Sequence, residues 1–453
     1  MSLVFCHTAD WHLGRTLHGA SLELAHRRFL AWLVEVIVAR AVDVLVVAGD
    51  VFDRSVPPAG AEALFYGFLA ELSRAAPGVQ VIVIAGNHDG PARLSAPAPL
   101  LERLGGAARM PVRIFGSLGL DARGRIDPAA ALVPLTTRDG ALAGHLVAVP
   151  FLRPSDLSRV AVADADQPDT PLSRPGEPLA RCEEPRCASE RLVRDLVAHA
   201  IAATGQRSLL MAAGHGLVRG ARLSPESERP LLGGDEAALS VEAFPRELAY
   251  VAMGHLHLAQ GLDGGRLRYA GAPLPLAFSE RAYPHQVVVG TARDGAVALE
   301  AVHVPPFVEL VRIEGEGGEA LDVETAIARL GAMTPCVNER WVQVRVRVPS
   351  PRPALRRELG EALAPSGARL VSVDLERAGD AALVPVSSSA YAELAPDAVL
   401  ARVWSSVSRE PLPEALTRAL HEAWREAQLE QDDVLAGLPE ASGGESADLE
   451  VAS

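Results

Sequence analysis

Apolar residues in this chain gather in short continuous runs more often than they alternate. The clearest is Val44-Leu45-Val46-Val47-Ala48, set between Asp43 and Gly49-Asp50. So short a β-branched run between breakers predicts a strand buried on both faces. Four more runs have the same form. Leu3–His7 leads into Thr8-Ala9-Asp10-Trp11-His12, and Val81–Ile84 into Ala85-Gly86-Asn87-His88-Asp89. Leu209–Ala213 leads into Gly214-His215-Gly216, and Tyr250–Met253 into Gly254-His255-Leu256-His257. Phe29, Trp32, Leu33, Val36 and Ile37 recur at helical spacing and predict a helix over 25–40. Leu64, Phe65, Phe68, Leu69 and Leu72 predict another over 61–76. Strand, loop, helix, strand is a βαβ unit. Further strands are expected at Val112–Phe115, Leu142–Val149 and Val287–Gly290, and a helix over 188–203. The fold class is α/β, with mixed sheets packed as a sandwich between helices.

From Phe307 the pattern changes. Strands at Val308–Ile313, Trp341–Val348 and Arg369–Leu375 enclose helices over 323–330 and 354–363. This is a small, separate βαβαβ unit spanning 306–378, after a first domain of 1–305. Strict alternation in Trp341–Val348 puts Arg345 and Arg347 on one face, with Arg352, Arg356 and Arg357 nearby. Such a set either grips phosphates or forms an ordinary solvated face. Two amphipathic helices follow within 379–436. One carries Val399, Leu400, Val403, Trp404 and Val407, the other Leu416, Leu420, Trp424 and Ala427. They read as a partner-binding segment, against the alternative of packing on the protein's own surface. Residues 156–185 form an aperiodic insertion rich in Pro, Asp, Ala and Arg, and 437–453 an acidic tail expected to be disordered.

A length of 453 residues allows two or three domains. The net charge of −14 argues against a generally basic nucleic-acid binder but not against a local patch. No lysine occurs, so all 43 basic residues are arginine; coding bias explains this, though arginine also grips phosphate bidentately. No apolar run approaches the roughly 18–20 residues that span a bilayer, and the N-terminus lacks the basic stretch of a signal peptide. Cys6, Cys182, Cys187 and Cys336 form no disulfide framework, and Cys182 and Cys187 lack the second pair of a metal site. Free thiols in a reducing cytosol are expected.

The residues after the five strands are Asp, His and Asn. Carboxylate, neutral imidazole and amide oxygen together suit a divalent first-row metal. In open α/β sheets ligands bind beyond the carboxyl ends of strands. One carboxylate serving both sides gives a two-metal site, its ions roughly 3.5–4 Å apart.

The set Asp10-x-His12, Gly49-Asp50-x-x-Asp53, Gly86-Asn87-His88-Asp89, Gly214-His215 and Gly254-His255-x-His257 resembles the calcineurin-like metallophosphoesterases. His7–Gly14, Val149–Arg153 and Ala270–Glu280 are similar to the SbcD family of nuclease subunits, with Ala9, Ala272 and Ala277 where serine is more usual. The likeness covers about residues 1–377. It implies a metallophosphoesterase β-sandwich flanked by helices, with a small α/β capping domain and C-terminal helices. It implies that Asp10, His12, Asp50 and His257 hold one metal and Asp50, Asn87, His215 and His255 a second, manganese being usual. His88 would give a proton to the leaving oxygen. Asp53 would orient His88 and favour its imidazolium form; the other reading of Asp53 is a cap on the following segment. The implied function is a DNA nuclease of repair, recombination and replication, a 3′→5′ exonuclease on duplex ends and an endonuclease on single strands or hairpins. It would act as a homodimer, with an SbcC-type ATPase on the C-terminal helices. The alternative is a small-molecule phosphodiesterase or phosphoprotein phosphatase with the same metals, which needs neither an arginine-bearing small domain nor a helical tail. A non-catalytic scaffold is disfavoured, because clustered carboxylates and imidazoles destabilise a protein that binds no metal.

Overall fold

The computed structural model describes residues 2–377 apart from 102–109, 154–155, 158–184, 206–207, 224–237, 294, 337 and 350–351, together with Thr417. The chain opens with β1 (Ser2–Thr8), a small β2–β3 hairpin (Thr16–Leu17 and Ala20–Ser21) and α1 (Glu23–Ala39). Next come β4 (Val44–Ala48), α2 (Ala59–Ala75), β5 (Gln80–Ile84), a short α3 (Pro91–Ser95) and β6 (Val112–Phe115). Then follow β7 (Leu132–Thr136), β8 (Leu142–Val149), α4 (Pro185–Thr204), β9 (Leu209–His215) and β10 (Tyr250–Gly254). β11 (Gln260–Leu262), β12 (Leu267–Tyr269), β13 (Gln286–Arg293) and β14 (Ala296–His303) complete this part.

Two six-stranded sheets result, ordered β14-β13-β1-β4-β5-β6 and β11-β12-β10-β9-β8-β7. The strands that carry the motifs are parallel neighbours: β1, β4 and β5 in the first sheet, β9 and β10 in the second. Their carboxyl ends therefore lie along one edge of each sheet. Between the sheets, Phe5, Val44, Val46, Ile82 and Ile84 meet Leu146, Met211, Ala213, Tyr250 and Ala252. The opposite face of the first sheet, with Leu45, Val47, Val81 and Val83, is covered by Phe29, Leu33 and Ile37 of α1 and Phe65, Phe68 and Leu72 of α2. The outer face of the second sheet packs on Leu192, Val193, Leu196 and Val197 of α4. Every residue of β4, β5 and β10 is buried, because helices and a second sheet cover both their faces.

The small unit has β15 (Val308–Ile313), α5 (Val323–Gly331), β16 (Glu339–Val348), α6 (Leu355–Leu363) and β17 (Arg369–Arg377). Its three strands are all parallel. Val342, Val344, Val346 and Val348 turn to α5 and α6, where Leu330, Leu359 and Leu363 meet them. The unit is less separate than the sequence suggests. Trp341 is fully buried and, with Val308, Leu310 and Val371, joins the apolar cluster of α1 and α2. Residues 1–378 accordingly make one compact unit.

Of the five arginines considered for phosphate, four have carboxylate partners. Arg347 and Arg345 lie 3.2 and 4.0 Å from Glu376, Arg352 lies 2.7 Å from Glu358, and Arg357 lies 2.8 Å from Glu361. Arg345 also donates to the Gly318 carbonyl, and Arg356 reaches the carbonyls of Leu370 and Val371. Most of the insertion at 156–185, the amphipathic stripes of 379–436 and the tail 437–453 lie outside the described residues.

Candidate metal centre

The loops after the strands are tied to one another before any side chain is considered. Asp10 N donates to the Gly49 carbonyl and His12 N to the Asp50 carbonyl, both at 3.0 Å. Four of the candidate residues have left-handed backbones: Asp10 (φ 55°), His12 (φ 47°), Asp50 (φ 50°) and His255 (φ 105°). Such conformations cost a non-glycine residue on the order of 1–3 kcal/mol each and persist where the surroundings enforce them. Here they turn each side chain inward over the sheet edge. Gly49 (φ 90°) and Gly86 make this possible. A Cβ at Gly49 would run into the His215 ring, and one at Gly86 into the Asp50 carboxylate.

Asp50 lies between two groups of side chains. Its Oδ2 is 3.6 Å from His12 Nε2 and 3.5 Å from His215 Nε2, and its Oδ1 accepts from His88 N at 2.8 Å. Potential ligand atoms of Asp10, His12 and His257 lie within 4.8 Å of one another, as do those of Asp10, Asp50 and His215 and those of His12, Asp50 and His88. Asn87 Oδ1 lies 3.0 Å from His215 Nε2 and 3.1 Å from His255 Nδ1. All seven residues proposed as ligands are thus gathered at one place.

The donor set fits divalent cations. His12 is buried, and its nearest acceptors, the carboxylates of Asp53 at 3.5 Å from Nδ1 and Asp50 at 3.6 Å from Nε2, are too far for a good hydrogen bond. An imidazole so loosely bonded is costly to bury unless something with affinity for lone pairs sits beside it. His215 is oriented for the same purpose: Nδ1 donates to the Ala48 carbonyl at 2.8 Å, so Nε2 turns to Asp50 and Asn87. Without metal the electrostatics are uneven. Burial holds His12 down to about 4 and His255 down to about 3. Burial opposes a charge on His215 too, but the Asp50 carboxylate outweighs it and pushes the imidazole up to about 9. Burial pushes Asp10 up to about 7. Burial works the same way on Asp50, but the neighbouring His215 and His12 outweigh it and hold that carboxyl well below the usual range.

His88 is buried beside the cluster, its ring 4.6 Å from that of His12. Asp53 does not orient it as the sequence suggests. His88 Nδ1 donates to the main-chain carbonyl of Asp53 at 2.9 Å. The Asp53 carboxylate instead lies 3.5 Å from His12 Nδ1 and 3.0 Å from Arg15. Two arginines, Arg15 and Arg54, draw it away from His88.

Two further acids were not singled out in the sequence. Asp89, the last residue of Gly-Asn-His-Asp, accepts from the main-chain N–H groups of Gly86, Val51 and Phe52 and pins the β4 loop to the β5 loop. Glu280 is buried with Oε1 2.8 Å from His257 Nδ1. Arg153 donates to the carbonyls of Gly86 and Asp89 and clamps the loop that carries Asn87 and His88. Its position in Val149-Pro150-Phe151-Leu152-Arg153 was the available signal.

Residues 3–259 match the calcineurin-like phosphoesterase family, and residues 306–408 a family described as the type 5 capsule protein repressor C-terminal domain. The chain is 36% identical over 373 residues to the SbcD subunit of the SbcCD nuclease from Rhodobacter capsulatus, a match covering 82% of this chain and 87% of that one. It is 34% identical over 294 residues to the SbcD subunit from Bacillus subtilis, covering 64% and 67%. For the Escherichia coli K12 protein the figures are 30% over 315 residues, covering 68% and 70%. Five motif-bearing strand ends in one centre, and relatives aligned along most of the chain, place this protein in the SbcD family of the calcineurin-like metallophosphoesterases.

Proposed function

We propose that the chain is the nuclease subunit of a DNA-processing complex and hydrolyses phosphodiester bonds at a two-metal centre. The observation that carries this reading is Asp50, whose Oδ2 lies between His12 and His215 at nearly equal distances. Asp10, His12, Asp50 and His257 would hold one ion, and Asp50, Asn87, His215 and His255 the other, manganese being the expected metal. Such ions, when bound, neutralise a phosphodiester and lower the pKa of bound water.

The chain's own groups supply the rest. His88 Nδ1–H donates to the Asp53 carbonyl, so Nε2 is the atom left to give a proton to the leaving sugar oxygen, which it does from the ring protonated on both nitrogens. Asp89 and Arg153 hold the His88 loop, and the Asp50–His88 N bond fixes it against the bridging carboxylate. Asp53 supports His88 through its main chain and His12 through its carboxylate.

The partner is an SbcC-type ATPase, bound through the C-terminal segment 379–436, with two nuclease subunits in the assembly. On the small domain, DNA phosphates would have to displace acids already paired with arginine, so each contact there would gain less than one made by a free arginine. The deciding experiment compares manganese-dependent cleavage of plasmid and hairpin DNA with that of a chromogenic phosphodiester, with and without an SbcC-type partner. DNA cleavage stimulated by the partner and ATP supports the reading. Efficient turnover of the small ester alone would overturn it.

A further inference from the structure

The segment from Ala270 to Glu280 joins β12 to β13 and supplies none of the seven candidate ligands. It nonetheless folds against one of them. Ala272 N donates to the His257 carbonyl at 3.0 Å, and Ala270 N to the Met253 carbonyl at 3.4 Å. The segment ends on Glu280, which is fully buried. A carboxylate so placed persists only when it is well bonded. Oε1 faces His257 Nδ1 at 2.8 Å, and Oε2 accepts from Leu276 N at 2.9 Å.

An ionised carboxylate can only accept. Its bond therefore puts the proton of His257 on Nδ1 and the lone pair on Nε2, the nitrogen turned away from Glu280. The corresponding imidazole on the other side, His215, is backed by the neutral Ala48 carbonyl. The two sides thus differ in charge. Asp10 and Asp50 face one position, with Glu280 behind His257. Asp50, Asn87, His215 and His255 are assigned to the other, and Asp10 lies within reach of His215 as well, so the difference rests on what backs each histidine. Asp50 is common to both, so it cannot create a difference between them.

We infer that Glu280 is a positioning residue that makes the Asp10–His12–His257 position the tighter of the two, and the first to fill. The inference rests on the ligand assignment proposed above. Metal-free full-length protein is titrated with manganese by calorimetry, with bound ions counted by spin resonance. The wild type should take up two ions in separable steps. Glu280→Gln removes the charge and, having one oxygen, cannot serve both His257 and Leu276. It should weaken the first step by about 10- to 100-fold and leave the second nearly unchanged. Glu280→Asp, which keeps the charge one methylene further back, should fall between, and carries the test if the Gln variant does not fold. Fewer than two ions in the wild type overturns the ligand assignment and this inference with it. Two ions in the wild type, with both steps of the variants unchanged or weakened alike, overturns the role of Glu280 alone, since a purely structural role does not choose between the steps.

Discussion

Removing the Asp50 side chain takes a charge from both halves of the centre and an acceptor from His88 N. Asp50→Ala is therefore expected to lose both ions and all cleavage. Elemental analysis checks it, and two retained ions would refute the bridging role. His88→Ala is a different kind of loss. The main-chain bond from residue 88 to Asp50 survives, so the metals should stay while turnover falls by roughly 10²-fold or more. Metal content and single-turnover rates on the same preparation separate the two effects. A third expectation concerns His7 and His26, which are not candidate ligands. Burial holds them down to about 3 and about 4, from an ordinary 6.5. The unfolded chain takes their protons first, so their contribution to stability is full above about pH 6.5 and is lost as pH falls toward 4 for His26 and toward 3 for His7. The slope is about 1.4 kcal/mol per pH unit for each histidine across that window. The melting temperature of the metal-free protein should fall progressively across that window, and His26→Gln should remove one histidine's share of the fall.

Gly86 sets the spacing of the β4 and β5 ends. Gly86→Ala would press a methyl into the Asp50 carboxylate and main chain. Shifts of about 1 Å at such positions cost on the order of 10²-fold in rate. The variant should keep its circular dichroism but lose metal affinity, and unchanged manganese binding would count against the close contact. The elements that were legible in the sequence are those with a single strong reason to exist. β4, β5 and β10 are continuous apolar runs because both faces are covered, and α1 and α2 show one clean stripe each. Strands that are short or have a weak or interrupted apolar pattern were harder. β14 alternates between exposed and half-buried positions, β7 contains Pro134, and β11 and β12 have three residues each. The pairing of β1 with β13 joins opposite ends of the large domain, and no local pattern announces it. At the site, motif spacing located the residues offered as ligands but not the direction of every side chain. Asp53 turns to Arg15 and His12 because of charges that only the fold brings near. Glu280 lies 23 positions after His257, too far for any helical or strand period to connect them.

Across the whole molecule, the large and small units share apolar surface through Trp341, so the small domain is expected to report on the stability of the large one. The proposed docking of the ATPase on Leu416, Leu420 and Trp424 makes a separate prediction. A tryptophan anchor is often worth about 2 kcal/mol or more at an interface. Trp424→Ala should weaken binding of the ATPase partner by roughly thirty-fold and leave metal content unchanged. Normal binding with a lowered melting temperature would mean that Trp424 packs on its own subunit instead. One more consequence follows from the left-handed residues around the centre. Asp10, His12, Asp50 and His255 hold unfavourable backbones, and the carboxylates of Asp53, Asp89 and Glu280 are buried around them. Ions that bind only the folded chain offset this burden, by about 2.7 kcal/mol at a hundredfold excess over their dissociation constant. A chelator should then do more than stop turnover. It should shorten the survival of the chain under limited proteolysis, so that metal supply governs the lifetime of the protein as well as its rate.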